Sequence, residues 1–491
     1  MTEELARSGV PGLDYLIGGG FPTRRIYLVQ GRTGSGKTTL GMQFAREGAR
    51  NGETTLYVAL AESAAELSQI SASHNWSLDG VSIFTPATGD SETGGESDYT
   101  LFHPGEVELT GIVTKIIDRI HADNPSRVVI DSISEVRILA RDALILLRQM
   151  RKLGMALVET GCTGLLLENP HSWGRGSGTL ETFAHGIIDL EYDSNRYGTS
   201  RRRVSVLKLR GANCISGKHD MKLETGGVTV FPKLVATRDA SCEYERLSSG
   251  CDELDSLCGG GLESGTSTMI IGPAGTGKST VVAQFALAAA RRGQKSSLFV
   301  FDETEDSCRL RWQRMKMPIG EYVDRGLIQV IPADPTGLSP GELCHKIRRS
   351  VDHDGSRIIV IDSLSGYMQV LPEPGFMEVH LFELLKYLDA KNVLSLLIVT
   401  QHGILGSALE SPIDVSYLID TILLMRFFEV SGEVRKAISV VKKRHGSHER
   451  TIRECALGER GLRIGKPLQD FHGVLSGIPT FVGKDRQLME R

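Results

Sequence analysis

A tandem repeat constrains the fold of this 491-residue chain more than any other feature of its sequence. The segment "GRTGSGKT" begins at Gly31, and its twin "GPAGTGKS" begins at Gly272. Matching stretches precede both, "SGVPGLDYLIGGGFPTRRIYLVQ" and "SGCDELDSLCGGGLESGTSTMII". Further matches follow in the same order, "RVVIDSIS" with "RIIVIDSLS" and then "VLKLRGA" with "VVKKRHG". Because the repeat unit is far longer than that of a solenoid, we expect two complete domains, 1–235 and 236–491.

Each copy has the pattern of an α/β domain. The apolar runs "RIYLVQG" and "TSTMIIG" lead into a glycine-rich turn and predict buried strands. The stretches that follow, "KTTLGMQFAREGARNG" and "KSTVVAQFALAAARRGQ", have helical spacing and reach a glycine at their ends. Alternating strands and helices predict a mostly parallel sheet covered by helices. Two stretches rich in Gly, Ser or acidic residues, 87–105 and 171–179, are expected to be mobile loops.

The pattern GxxxxGK[S/T] between a strand and a helix predicts two phosphate-binding loops. Backbone N–H groups and the helix N-terminus bind phosphate oxygens, the lysine reaches the β- and γ-phosphates, and the last hydroxyl holds Mg²⁺. We expect ATP and Mg²⁺ as cofactors, with Thr38 and Ser279 as the metal ligands. The predicted ATP-binding residues of the loops are Gly31, Thr33, Gly34, Ser35, Gly36, Lys37, Thr38, Thr39, Gly272, Ala274, Gly275, Thr276, Gly277, Lys278, Ser279 and Thr280.

Acidic residues at strand ends predict the rest of each site. Asp131 and Asp362 each end an apolar strand within "IDS", where a carboxylate can join the Mg²⁺ shell. The strand after each loop helix ends in "ALAESAAEL" or "FDETEDSC", which makes Glu62, Asp302 and Glu303 candidate catalytic acids. For this last group a second interpretation is equally compatible with the pattern, namely that the acids cap the following helices.

Pairs of cations recur late in each copy. Lys208 with Arg210, and Lys442 with Arg444, alternate along a strand and are expected to point the same way. Cations placed in this manner can act on the γ-phosphate of a neighbouring subunit, as an arginine finger does. A solvated strand face is the commoner explanation for one such pair, but its presence in both copies favours the catalytic one.

Composition excludes several function classes. The formal net charge is −4, which gives no support for a mainly electrostatic nucleic-acid binder. The basic run Arg201, Arg202 and Arg203 is expected to be a solvated loop. No secretory signal or membrane-length apolar run is visible, and the eight cysteines include no CxxC pair. We therefore expect a cytoplasmic protein with free thiols and no membrane partner.

These motifs resemble those of the KaiC family, the double-domain RecA-like ATPases of the cyanobacterial circadian clock and their bacterial relatives. The resemblance covers nearly the whole length and rests on "GGG" before each loop, "IDS", "KLRG" and the run "IDTILLMRFFEVSGEVRKAISVVKKRHGSHERTIRE" (419–454). It implies two tandem RecA-like P-loop NTPase domains and a homohexamer of two stacked rings with ATP at the subunit interfaces. It also implies slow ATP hydrolysis in the N-terminal ring, Ser/Thr autokinase and autophosphatase activity in the C-terminal ring, and KaiB-like or signalling partners.

The sequence departs from the family pattern at four places. Paired glutamates become Ala61–Glu62 in the first copy and Asp302–Glu303 in the second. The family's phosphorylated Ser-Thr pair becomes Ser416–Tyr417, which leaves Ser416 as the expected phosphorylation site. The C-terminal extension on which a KaiA-type activator acts is mostly absent, which argues against such an activator.

Two other function classes are compatible with the sequence. A RecA-type DNA-dependent ATPase motor shares the fold, and single-stranded DNA should stimulate its ATPase activity. A non-enzymatic scaffold would need ATP only for assembly and would release no phosphate.

Overall fold

The computed structural model describes residues 4–86, 104–140, 143–169, 178–193, 200–235, 244–370, 374–401, 415–430, 432–458, 461–474 and 480–481. Its chain divides into two compact units, and the division falls between Lys233 and Leu234. Most of the stretches expected to be loops, 87–103 and 171–177, lie outside the described residues. Helices begin at the ends of both stretches, at Pro104 and at Gly178.

The first unit contains a large sheet with helices on both faces. Its strands are β1 (Leu5–Ala6), β2 (Phe21–Pro22), β3 (Ile26–Gly31), β4 (Thr55–Ala59), β5 (Val81–Phe84), β6 (Arg127–Asp131), β7 (Thr163–Glu168), β8 (Gly186–Asp193), β9 (Arg201–Leu209), β10 (Lys218–Glu224) and β11 (Gly227–Phe231). Its helices are α1 (Leu13–Leu16), α2 (Lys37–Arg50), α3 (Ala64–Ser73), α4 (Pro104–Asp123), α5 (Ile133–Leu139), α6 (Ala143–Glu159) and α7 (Gly178–Phe183).

The second unit follows a similar order, with an additional helix after its counterpart of α3 and two further short strands at its end. Its strands are β12 (Arg246–Leu247), β13 (Leu262–Glu263), β14 (Ser267–Gly272), β15 (Lys295–Val300), β16 (Ile328–Pro332), β17 (Ser356–Asp362), β18 (Leu394–Thr400), β19 (Thr421–Val430), β20 (Glu433–Lys443), β21 (Arg453–Gly458), β22 (Gly461–Pro467), β23 (Phe471–His472) and β24 (Thr480–Phe481). Its helices are α8 (Asp252–Leu257), α9 (Lys278–Arg291), α10 (Glu305–Arg314), α11 (Ile319–Asp324), α12 (Pro340–Asp352), α13 (Leu364–Val370) and α14 (Pro374–Ala390).

Both large sheets have the same strand order. Among the described residues each has nine strands, in the order β11-β10-β9-β8-β3-β7-β6-β4-β5 in the first unit and β22-β21-β20-β19-β14-β18-β17-β15-β16 in the second. The six strands from β8 to β5, and likewise from β19 to β16, are parallel, and the remaining three are antiparallel. The predicted mostly parallel α/β fold is therefore confirmed in both halves.

The helix after each glycine-rich turn packs against its sheet through an apolar face. In the first unit Leu40 and Phe44 of α2 are fully buried with Val29 and Val129 of the central strands. In the second unit Val281 and Phe285 of α9 occupy the same layer. The α2 and α9 helices end at Arg50 and Arg291, just before glycines with positive φ at 52 and 293.

The prediction for the basic run was wrong. Arg201, Arg202 and Arg203 begin strand β9, where they are half-buried and pair with β8. The guanidinium of Arg202 stacks over the ring of Tyr192, 4.7 Å from its centroid, and its Nε donates to the carbonyl of Gly34 at 3.1 Å. Long charged side chains can bury their apolar stems while their charged ends reach polar groups, so a run of three cations does not by itself indicate a loop.

Candidate nucleotide-binding sites

The two glycine-rich turns have the same backbone form. Gly34 and Gly275 both have φ of 82°, and the next glycines, Gly36 and Gly277, have φ of 101° and 111°. Only glycine adopts these left-handed conformations without strain. The loop therefore turns tightly and presents the open N-termini of α2 and α9, whose N–H groups are suited to bind phosphate.

The lysine that follows each turn folds back over its own loop. Lys37 Nζ donates to the carbonyls of Gly31 at 2.7 Å and Arg32 at 3.1 Å. Lys278 Nζ donates to the carbonyls of Gly272 and Pro273, both at 2.8 Å. Burial lowers the pKa of both ammonium groups, in Lys278 to about 8, and Asp362 opposes that shift. The charge of each lysine is thus held where the phosphates of a nucleotide would offset the cost of burying it.

A carboxylate and a hydroxyl meet beside each lysine. Asp131 ends β6 and accepts a hydrogen bond from Thr38, and Asp362 ends β17 and accepts one from Ser279. Burial raises the pKa of both carboxyl groups, and the hydroxyl donors lower it in part. In the first unit Tyr57 Oη donates to Asp131 Oδ2 at 2.7 Å. The second unit cannot form this bond, because Leu298 of β15, which lacks a hydroxyl, occupies the position of Tyr57.

These pairs fit a magnesium ion. Mg²⁺ prefers oxygen ligands and keeps several of its waters, so one hydroxyl and one water-bridged carboxylate are a suitable protein contribution. Thr38 with Asp131 and Ser279 with Asp362 would hold the ion, which would neutralise the phosphate charge during transfer. In the part of the chain that the structure describes, no cluster of three or more His, Cys, Asp or Glu side chains forms a separate metal site.

The candidate acids are not the caps of the helices that follow them. Ser63 caps α3, where it forms a reciprocal capping box with Glu66, and Thr304 caps α10 by accepting from the N–H of Ser307. The helix-capping interpretation of Glu62, Asp302 and Glu303 is therefore wrong.

The acids have different surroundings in the two units. Burial, followed by the charge of Asp131, raises the pKa of Glu62, and its Oε2 has no hydrogen-bond partner among the described residues. Asp302 is exposed, and its Oδ2 accepts from Ser363 Oγ at 3.1 Å. Glu303 forms an ion pair with Arg311. A pattern of acids after a strand predicts none of these differences, because they come from side chains elsewhere in the sequence.

The late cation pairs lie just after a β-bulge in each unit. The register shifts so that Leu207 of β9 and Val441 of β20 have no residue opposite them on the neighbouring strand. A bulge re-aims the side chains that follow it. Lys208 and Lys442 are the next residues, and the strands end before Arg210 and Arg444 are reached.

The lysine after each bulge donates hydrogen bonds to the main chain of the segment that precedes β8 in the first unit and β19 in the second. Lys442 Nζ donates to the carbonyls of Ser416 and Ile419, both at 2.7 Å. Arg444 donates to the carbonyl of Tyr417 at 2.8 Å and pairs with Asp420 at 2.9 Å. In the first unit Lys208 Nζ donates to the carbonyl of Glu181 at 2.8 Å. The two cations of the second unit thus do point the same way, toward the segment that contains the predicted phosphorylation site.

Several residues that the sequence analysis did not assign to the site also border the first loop. The amide of Asn169 donates to Thr33 Oγ1 at 3.2 Å. A pocket of about 450 Å³ beside the turn is lined by Gly31, Arg32 and residues of β8, β9 and β10, including Arg201 and Arg203. Strand pairing brings these residues to the loop, and no local motif marks them.

No helix within the described ranges is both long enough and apolar enough to cross a membrane.

The sequence model described as the KaiC ATPase matches this chain twice, over residues 6–235 and 247–469. The circadian clock protein KaiC3 of Synechocystis sp. is 25% identical over 98% of this chain and 95% of its own length. The circadian clock oscillator proteins KaiC of Acaryochloris marina and Thermosynechococcus vestitus are 26% and 27% identical, over 99% and 97% of this chain and 93% and 92% of theirs. The chain, with its two RecA-like P-loop units, therefore belongs to the KaiC ATPase family.

Proposed function

We propose that this chain is a homohexameric ATPase whose second unit phosphorylates and dephosphorylates Ser416. In this proposal Mg²⁺ and ATP bind between neighbouring subunits in both units, and the first unit is the main site of ATP hydrolysis. The names of its relatives are those of circadian clock proteins, which supports a timing or signalling role. The proposal places the protein in the cytoplasm, with KaiB-like or other signalling partners.

One observation carries the division of labour. Lys208 and Lys442 make the same main-chain contact, but Lys208 contacts the carbonyl of Glu181, whereas Lys442 contacts that of Ser416. In the second unit the residue whose carbonyl accepts this bond, Ser416, has a hydroxyl side chain. In the first unit the corresponding residue, Glu181, has a carboxylate. Since a carboxylate cannot be converted into a phosphoserine, only the second unit has a phosphorylatable hydroxyl at this position.

The chemistry of the second unit needs a proton acceptor as well as a nucleophile. In the proposed step Ser416 Oγ forms a bond to the γ-phosphorus of ATP, the bond from that phosphorus to the bridging oxygen breaks, and ADP leaves. The hydroxyl proton passes to Glu303 or Asp302 of the subunit that holds the nucleotide. Lys442 and Arg444 provide positive charge beside the nucleophile, where charge develops on the transferring group.

Mass spectrometry tests this proposal. The purified protein is incubated with ATP and Mg²⁺, its intact mass is recorded, and its phosphopeptides are mapped. We expect a hexamer with one phosphate per subunit on Ser416, which Ser416→Ala removes while the neighbouring Tyr417→Phe retains it. An ATPase activity that rises with single-stranded DNA, with binding that falls steeply with salt, would instead identify a DNA-dependent motor.

A further inference from the structure

Glu303 is held by two side chains of the helix that follows it. Its Oε1 forms an ion pair with Nη1 of Arg311, and its Oε2 accepts a hydrogen bond from the thiol of Cys308 at 3.2 Å. Nη2 of Arg311 also lies 3.9 Å from Cys308 Sγ. Both oxygens of this carboxylate therefore have a donor, and the two donors contact each other.

The helix geometry explains this arrangement. Thr304 caps α10, so the chain turns sharply after Glu303, and its side chain lies back along the first turns of the helix. Residues three apart share one face of a helix, which brings Cys308 and Arg311 to the same side. Cys308 is fully buried, and burial together with the bond to Glu303 raises the pKa of its thiol to about 12. The thiol thus stays protonated and remains a donor.

The first unit lacks both donors. At the equivalent positions of α3, the buried Leu67 and the partly buried Ile70 pack against the apolar core. Glu62, the counterpart of Glu303, has a buried Oε2 without a hydrogen-bond partner among the described residues. We call the contacts of Arg311 and Cys308 with Glu303 the clamp. The clamp is a feature of the second unit and not a consequence of the shared fold.

We propose that Arg311 and Cys308 are positioning residues that fix Glu303 as the proton acceptor of the autokinase step. This inference rests on the proposed function. Each carboxylate oxygen has two lone-pair directions, so the clamp leaves acceptor capacity for the hydroxyl of a nucleophile. Arg311 and Glu303 both act electrostatically on Asp362, one lowering and one raising its pKa, so the clamp lies at the edge where the nucleotide binds. Asp302 accepts a hydrogen bond from Ser363 Oγ and has no ion pair among its described contacts.

A fixed carboxylate matters because proton transfer and attack depend on geometry. A misplacement of about 1 Å can lower a rate by roughly a hundredfold, since the reacting atoms must approach in one alignment. Without the clamp, Glu303 would have several rotamers at the start of an exposed turn. The clamp removes this freedom before the nucleotide binds.

The decisive variants exchange the clamp for the residues of the first unit. Arg311→Ile should lower the maximal rate of Ser416 phosphorylation roughly ten- to a hundredfold, with little change in the ATP concentration that gives half-maximal rate. Arg311→Lys should restore part of the rate, since it retains a cation. In a Glu303→Ala background, Arg311→Ile should cause no further loss. Arg309→Ile is the matched control, because Arg309 lies on the same helix and pairs with Glu305 and Asp324 instead.

A second readout does not need kinase activity. The infrared S–H stretching band of Cys308, identified as the band that Cys308→Ser removes, should move to higher wavenumber in Glu303→Ala as the thiol loses its acceptor. If Arg311→Ile behaves like Arg309→Ile, or if the losses from Arg311→Ile and Glu303→Ala simply add, the positioning role is wrong. A protein that never phosphorylates Ser416 would overturn the proposed function. In that case the thiol band still tests the hydrogen bond from Cys308 to Glu303, because it does not depend on kinase activity. An unchanged band in Glu303→Ala would show that the clamp is wrong.

Discussion

The ammonium group of Lys442 lies 2.7 Å from the main-chain carbonyl oxygen of Ser416 and donates a hydrogen bond to it. Arg444, two residues later, donates to the carbonyl of Tyr417 at 2.8 Å. These contacts join the two predicted trans-acting cations directly to the predicted phosphorylation site. If Lys442 and Arg444 moved toward the γ-phosphate bound to a neighbouring subunit, they would break their hydrogen bonds to the main chain of Ser416 and Tyr417.

We expect Arg444→Ala, and Arg210→Ala in the first unit, to lower ATP turnover more than ATP binding. An arginine that acts on the γ-phosphate in trans accounts for roughly a thousandfold in rate, and one that only positions the chain accounts for much less. Phosphate release and nucleotide affinity, measured on the same hexamer preparation, separate the two effects. Full activity from a demonstrably monomeric protein would contradict the trans arrangement.

Substitutions of the two P-loop lysines should have different phenotypes. Lys37→Ala is expected to weaken hexamer formation and remove most steady ATP hydrolysis, because the first unit is proposed to drive both. Lys278→Ala should abolish phosphorylation of Ser416 and leave a hexamer. Native mass spectrometry and phosphate release test each variant, and one shared phenotype would show that the units do not divide the work.

Phosphate should appear on Ser416 and not on Tyr417. The hydroxyl of Tyr417 donates to Glu378 Oε2 at 3.2 Å, and the side chain is 56% exposed. Its oxygen lies on a rigid ring, several ångströms farther from the main chain than a threonine hydroxyl, and attack geometry is sensitive to about 1 Å. Phosphopeptide mapping after incubation with ATP checks this. Phosphotyrosine at position 417, or an active hexamer with unmodified Ser416, would refute it.

ATP binding to the second unit should take up protons at mildly alkaline pH. The pKa of Lys278 is lowered to about 8, so about half of these ammonium groups have lost their proton at pH 8 in the protein without nucleotide. Phosphate charge favours the protonated form, so binding should take up about half a proton per site at pH 8 and less at lower pH. Calorimetry in two buffers of different ionisation enthalpy measures this, with Lys278→Arg as the control that stays charged. Equal uptake in the control would exclude Lys278 as the source.

Hydrolysis in the first unit should depend on the protonation of Glu62. Burial and the nearby Asp131 raise the pKa of Glu62 above 4.5. A base is active when ionised, so the rate should fall as the pH drops through this raised pKa and should be restored as the pH rises. Glu62→Gln should lower the rate by roughly a hundredfold or more and abolish this fall in rate at acidic pH. Phosphate release in a Lys278→Ala background isolates the first unit. If the rate of Glu62→Gln still fell at the same acidic pH, the titration would belong to another group.

The sequence by itself determined the architecture of each half. Buried strands of branched apolar residues, the helices after the glycine-rich turns and the two phosphate-binding loops all follow from local pattern. Their physical causes, namely side-chain periodicity, glycine at positive φ and the open helix N-terminus, act within a few residues of the chain. The positions of Asp131 and Asp362 at the ends of β6 and β17 also followed from local pattern, and the rule that the carboxyl ends of parallel strands share one edge of a sheet made them candidates for the site.

Only the tertiary structure decided what each candidate residue contacts. The pairing of β8 with β9 turned the basic run at 201–203 into half-buried strand residues beside the first loop. A bulge in β20 aimed Lys442 at the carbonyl of Ser416. The folding of α10 placed Arg311 and Cys308 on Glu303, while α3 left Glu62 without them. These contacts join residues that lie far apart in the chain or on successive helix turns, and their electrostatics depend on burial, which is a property of the whole fold.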